Sequence, residues 1–276
     1  MPNIKTNTGI IWDYEVKGEG KDVFFIHGWG VDMRIWNQQA KYFSRNYRVI
    51  RVSLPGHGET TFKEATLECM AEDIFSILKS LNAVPVTVIG SSLGGLVALK
   101  LHSIAPDLFE KIVFVGALPK FTASEDFPFG LDVARIRKLN GQLAGNYPSI
   151  INIFFRSLFT DKERQSRRFH WLQRFRRDIA LPQMEALSKY LAILETEDLR
   201  DELKKIVVPV QFINGREDTI CSPKALEYLK GFLPSASYVY FDDCGHFPFL
   251  SKPYEFNEVL EKFIKSGKDG DGSRSE

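Results

Sequence analysis

Cysteine is scarce in this chain. Cys69, Cys221 and Cys244 are the only three in 276 residues, and their odd number and wide spacing exclude a disulfide framework and offer no metal-ligand pattern. A reducing compartment is the simplest setting. Charge of one sign is missing as well: 36 Lys and Arg stand against 35 Asp and Glu, a net charge of +1, so no global field points to nucleic acid. Long apolar runs are absent too, the longest being strand-sized, which excludes a membrane span. Met1 to Lys21 is polar, without the apolar core of a secretory signal, and the expectation is a cytoplasmic protein. What is present is a 44% hydrophobic composition, enough for one sizeable core.

Gly90, Ser91, Ser92, Leu93 and Gly94 form a GxSxG pentapeptide between the β-branched run Val86 to Ile89 and the helix-forming Leu96 to Lys100. A strand that turns abruptly into a helix strains the turning residue and lifts its side chain above the sheet, and small residues two positions either side let the backbones pass. Ser92 is the candidate nucleophile. Ser91 fails the spacing, because the glycines bracket position 92.

A serine nucleophile of this kind needs an acid and then a base later in the chain. Val207 to Ile213 is an apolar run closed by Asn214, Gly215, Arg216, Glu217 and Asp218, and Tyr238 to Phe241 is closed by Asp242, Asp243, Cys244, Gly245 and His246. Loops at the carboxyl ends of strands are where catalytic groups collect. Asp218 and His246 are the candidate acid and base, with Glu217, Asp242 and Asp243 as competitors for the acid. The other histidines fit less well: His102 falls inside the helix after the serine, His170 sits among arginines, and His27 and His57 precede the serine in turns.

His27, Gly28, Trp29 and Gly30 follow the strand Val23 to Ile26. Acyl transfer through serine creates a tetrahedral oxyanion that preorganised backbone donors stabilise. The expected donors are the N–H after the nucleophile, Leu93, and one from this early loop, Trp29.

Strand-like runs at 10–16, 23–26, 48–52, 86–89, 111–115, 208–213 and 238–241 alternate with helical periodicity at 67–81, 92–104, 223–232 and 253–264. That alternation predicts right-handed crossovers and a doubly wound, mostly parallel sheet. Residues 119–194 break the rhythm: they read as several helices separated by Pro128, Pro148 and Pro182, too long for a connection and therefore a helical cap inserted between core segments 1–118 and 195–265. Residues 266–276, rich in glycine, serine and charge, read as a disordered tail.

The cap holds thirteen Lys and Arg against seven acids, a net +6, leaving −5 for the remainder. If residues 164–177 form one helix, five of its six arginines share roughly half the circumference, a face that is either solvated or suited to an acidic partner.

The motifs HGWG, LPGHG, GSSLGG, NGRED and CGHFPFLSKPYEF resemble the α/β-hydrolase family, and as a set they resemble its pimeloyl-[acyl-carrier protein] methyl ester esterases of biotin synthesis. The resemblance covers nearly the whole chain. It implies an α/β-hydrolase fold and a serine carboxylesterase that frees methanol from an ester carried on acyl carrier protein, with no cofactor and no metal. The triad then falls on Ser92, Asp218 and His246, and the oxyanion hole on Trp29 and Leu93. The acyl channel falls on Phe155, Arg156, Ser157, Leu158 and Phe159 beside Trp29, Ser92, Leu93 and His246, and carrier contacts fall on Arg164 and Arg168. A monomer without nucleic acid or membrane partner is expected. The alternatives are a general carboxylesterase or lipase acting on free esters, and a ligand-binding homologue that does not turn over.

Overall fold

A computed structural model describes residues 2–63, 66–177 and 180–267; of the tail expected at 266–276, residues 268–276 lie outside the described residues. Eight strands form one sheet in the order β1-β2-β4-β3-β5-β6-β7-β8. They are β1 Asn3–Lys5, β2 Ile11–Lys17, β3 Asp22–Ile26, β4 Arg48–Val52, β5 Val86–Ser91, β6 Phe109–Val115, β7 Val210–Gly215 and β8 Ser237–Phe241. Only the β1–β2 and β2–β4 pairs are antiparallel. From β4 to β8 every neighbour is parallel.

The central strands read as continuous apolar runs because helices cover both faces of a parallel sheet. Every residue of β5 and of β7 is buried. The α-helices are α1 Asn37–Phe43, α2 Leu67–Ser80, α3 Leu93–Ile104, α4 Val133–Ser157, α5 Asp161–Arg164, α6 Arg167–Arg177, α7 Met184–Thr196, α8 Arg200–Leu203, α9 Pro223–Leu229, α10 Pro248–Ser251 and α11 Pro253–Lys265. Thr66 caps α2 by accepting from the Cys69 N–H, and α2 packs on α3 while α1 packs on α11.

The sheet is the doubly wound, mostly parallel one expected, with two additions. A three-residue edge strand, β1, was too short to leave an alternation pattern, and α1 lies in a stretch whose apolar positions are few. Five helices, α4 to α8, lie between β6 and β7 among the described residues. Pro148 marks a division, as expected: α4 is two helical stretches meeting at a kink two residues before it, at Asn146, whose backbone is non-helical (φ −152°, ψ 53°). Proline removes a helical N–H and crowds the preceding turn, which displaces the distortion upstream. A correction concerns 164–177. The chain breaks at Gln165 and Ser166, so Arg164 ends α5 and Arg168 lies in α6; Thr160 and Glu163 form a capping box that starts α5 upstream of the expected helix.

Candidate active site

Three strand ends converge on one point. β5 runs into α3 through Ser92, whose φ of 53° and ψ of −119° place a non-glycine residue in a strained region. The flanking glycines permit this turn by close approach: a Cβ on Gly90 would lie 2.4 Å from the Gly94 carbonyl oxygen. The Ser92 N–H donates to the Val115 carbonyl at 3.0 Å, tying the elbow to β6. Leu93 is the first residue of α3, so its N–H has no partner within the helix.

The loop after β8 carries His246, and the loop after β7 carries Asp218. His246 Nδ1 lies 2.8 Å from Asp218 Oδ2, with both side chains buried. The other carboxylate oxygen, Oδ1, accepts the N–H groups of Ile220 at 2.8 Å and Cys221 at 2.9 Å. The competing acids are engaged elsewhere: Asp242 pairs with Arg216 and Asp243 with Lys162, both on the surface. Among the described residues, Asp218, Cys221 and His246 also form the one cluster of metal-ligand type, with ligand atoms within 4.8 Å of one another. Cys221 Sγ instead donates to the Gly116 carbonyl at 3.0 Å, and burial pushes its thiol pKa up, which makes it a poor ligand.

His27 and His57 stay out of the reaction centre. His27 Nε2 accepts from Leu54 N–H at 2.8 Å and its Nδ1 lies 2.8 Å from the Gly28 carbonyl. His57 Nε2 accepts from Gly30 N–H at 3.3 Å. Burial lowers their pKa values to about 4 and about 3, so both brace the loops as neutral rings. His102 is buried against Phe109, and His170 is exposed and bonded to the Ser166 carbonyl.

Ser92 and His246 line a common cavity of about 210 Å³ with Trp29, Phe121, Phe154 and Leu191. The helices over it also grip the loops beneath. His246 N–H donates to the Leu158 carbonyl at 2.8 Å, Gly245 N–H to Glu163 Oε2 at 3.1 Å, and Trp29 Nε1–H to the Leu187 carbonyl at 2.9 Å. Arg176, 4% exposed, donates to the Gly30 carbonyl at 3.3 Å. Glu163 went unnoticed in the sequence. The pattern Thr160-x-x-Glu163 marks a helix start, but nothing local says that the same carboxylate reaches the histidine loop.

The channel expected at 155–159 is placed differently. Ser157 and Leu158 line the cavity, as do Ile150, Ile153 and Phe154, one helical face at three- and four-residue spacing. Phe155 and Phe159 point into an aromatic cluster with Phe247 and Phe169, and the Arg156 guanidinium lies over the Phe169 ring. The period of α4 turns Phe155 and Arg156 away, and Phe159, past the helix end, is turned away by the turn that follows. Arg164 and Arg168 are not a matched pair of free guanidiniums either. Arg164 donates to the Phe159 carbonyl and pairs with Asp161. Arg168 donates to the Leu250 carbonyl at 2.7 Å and to Gln38 Oε1 at 2.6 Å, and lies over Trp171.

The comparisons with known proteins agree with this geometry. A family model described as the alpha/beta hydrolase fold matches residues 22–253. The chain is 33% identical over 245 residues to a pimeloyl-[acyl-carrier protein] methyl ester esterase of Nitrosomonas europaea, covering 88% of this chain and 95% of that protein. It is 30% identical to the protein of that name from Aeromonas hydrophila subsp. hydrophila, covering 90% and 96%. An esterase from Exiguobacterium antarcticum superposes with a TM-score of 0.88 at 25% identity, over 96% of this chain and 99% of the other.

Proposed function

We propose, on the premise that this chain belongs to the α/β-hydrolase family, that it is a serine carboxylesterase acting on the methyl ester of a pimeloyl group held on acyl carrier protein, as in biotin synthesis. The observation that carries this reading is the shared apolar cavity of Ser92 and His246, with His246 backed by Asp218 at 2.8 Å. The names of the similar proteins supply the substrate. Among the described residues no helix is long and apolar enough to cross a membrane, in keeping with a cytoplasmic enzyme, proposed to act as a monomer.

In this mechanism the ester carbonyl lies against Ser92. His246 Nε2 takes the Ser92 Oγ proton as the oxygen attacks the carbonyl carbon, and the resulting oxyanion is held by the N–H groups of Leu93 and Trp29. Asp218, accepting from Nδ1–H, fixes the tautomer and stabilises the imidazolium. His246 then gives its proton to the departing methoxide, which leaves as methanol, and water attacks the acyl-enzyme by the same route in reverse. Residues 119–194 act as the cap that encloses the acyl chain, with Ser157 and Leu158 on its wall.

Carrier binding by Arg164 and Arg168 belongs to the same proposal and requires their guanidiniums to exchange internal partners for acidic ones. Those internal partners favour a second reading, a carboxylesterase acting on free esters, which uses the same catalytic groups. Methyl esters of pimeloyl and of shorter and longer acyl chains, offered with and without acyl carrier protein while methanol is measured, separate the two. Faster release from the carrier-bound pimeloyl ester supports the first reading; equal or faster release from free esters supports the second.

A further inference from the structure

The reaction cavity is apolar around most of its wall and basic in one place. Arg135, Lys138 and Gln142 line it from α4, alongside Ile136 and Leu139. Positions 135, 138 and 142 are three and four apart, which stacks them on one helical face.

These two cations differ from their neighbours in having no acid to answer them. Arg137, on the other side of the same helix, pairs with Glu195, Lys120 with Asp198 and Lys162 with Asp243. Among the described residues Lys138 has no ion pair, and Arg135 makes one hydrogen bond, to the Thr219 carbonyl at 3.3 Å. Arg176 also lacks a bonded carboxylate, but it is buried, donates to the Gly30 carbonyl and lies over the Phe155 ring, and it is not part of this cavity's lining. Uncommitted positive charge therefore faces the reaction cavity at Arg135 and Lys138. Both residues are solvent-exposed at the edge of the cavity, where an opposite charge is attracted modestly and a neutral ester gains nothing.

We propose that Arg135 and Lys138 form an anion subsite of the reaction cavity, selecting esters whose acyl chain carries a phosphate or carboxylate on the side away from the reacting ester. The inference rests on the esterase reading and adds to it what the far end of the substrate must be. Two sources present that chemistry. One is the phosphate of the phosphopantetheine arm on which an acyl carrier protein holds its acyl group; the other is the terminal carboxylate of a free dicarboxylic half-ester. In the half-ester the apolar chain alone separates the anion from the reacting ester, whereas in the carrier substrate the acyl chain and the longer, amide-bearing pantetheine arm do so together; whichever source reaches α4 meets the guanidinium and ammonium there.

Two matched substrate pairs test the subsite: methyl pimeloyl-phosphopantetheine against methyl pimeloyl-pantetheine, and monomethyl pimelate against dimethyl pimelate counted per ester group. The readout is the ratio of kcat/KM for the anionic over the neutral member. In at least one pair the wild type favours the anion by about fivefold, through KM, as expected for partly exposed ion pairs. The pair that responds identifies the source. Arg135→Ala with Lys138→Ala brings that ratio to about one, whereas Arg135→Lys with Lys138→Arg keeps it, which separates lost charge from lost folding. Ratios near one for both pairs in the wild type, or a ratio that survives the double alanine change, overturn the proposal. The same pairs titrated by calorimetry into the Ser92→Ala protein report on the subsite even where hydrolysis fails, so failure of the esterase reading stays distinguishable.

Discussion

Ser92, Asp218 and His246 hang from the ends of β5, β7 and β8, in loops whose backbone is fixed by sheet register and by short hydrogen bonds. The helices between β6 and β7 are built otherwise: α4 is bent at Asn146, α5 is one capped turn, and Arg164 and Arg168 are shared out among carbonyls, a carboxylate, an amide and an aromatic ring. The sheet holds its groups by what is adjacent in sequence or register, while the helices hold theirs by contacts reaching across the fold. Chemistry is thus placed on the rigid part, and the choice of substrate on the part whose contacts can be exchanged.

The largest effect expected is on the sheet side. Ser92→Ala should lower kcat on the order of 10⁶-fold with the melting temperature kept; if Ser91→Ala proves as damaging and Ser92→Ala mild, the nucleophile assignment is wrong. Asp218→Asn should cost about 10⁴-fold in kcat through the wrong imidazole tautomer. A greater loss from Asp242→Asn or Asp243→Asn would move the acid to the surface pair and break the contrast between a buried and an exposed carboxylate.

Glu163 sits on the seam between the two regions, accepting from Thr160 N–H and Gly245 N–H. Glu163→Ala should destabilise the protein by about 1 to 3 kcal/mol, since it strands the buried Gly245 N–H and the half-buried Thr160 N–H. It should also lower kcat more than it raises KM, because the loosened loop carries His246. Stability lost with kcat unchanged would make Glu163 a helix cap and nothing more.

The sheet-side loops also carry a pH signature. His27 and His57 are neutral with pKa values of about 4 and about 3, whereas an unfolded histidine titrates near 6.5. Between those values the unfolded chain binds more protons, so stability rises with pH there. It is complete above about pH 6.5 and falls below it by about 1.4 kcal/mol per pH unit for each ring. Thermal melts between pH 7 and 5 should drop by several degrees, and His57→Gln should flatten the slope. An unchanged slope in that variant would remove His57 from the account.

The smallest effect is expected in the helices. Arg164→Ala with Arg168→Ala should raise KM for a carrier-bound methyl ester several-fold, with a smaller change for p-nitrophenyl acetate, and added salt should imitate it. Equal losses on both substrates would mean that these residues brace the helices through Phe159, Leu250 and Gln38.

How much of this was legible in the sequence divides along the same line. The elbow, the strand-end loops and the mostly parallel sheet follow from local rules: glycine spacing at 90 and 94, β-branched and continuous apolar runs, and their alternation with helical stretches. The break at 165–166 left a weaker trace, because a capping box says where a helix starts and not how soon it stops. The resemblance puts Phe155 and Phe159 in the channel, whereas the helical period, anchored on Ile150 and Phe154, turns Phe155 into the aromatic cluster, and Phe159, past the end of α4, joins it from the following turn. The bonds from Leu187, Glu163 and Arg176 to loops more than 80 residues away have no local signature at all.

The most direct test of the central claim is to quench the wild-type protein during turnover of p-nitrophenyl acetate and locate the acyl group by mass spectrometry. An acetyl adduct on Ser92, absent from Ser92→Ala and accumulating in His246→Ala only at a greatly reduced rate, is the predicted result. Steady release of p-nitrophenol by the Ser92→Ala protein, or an adduct on a different residue that forms and decays at the rate of turnover, would contradict it.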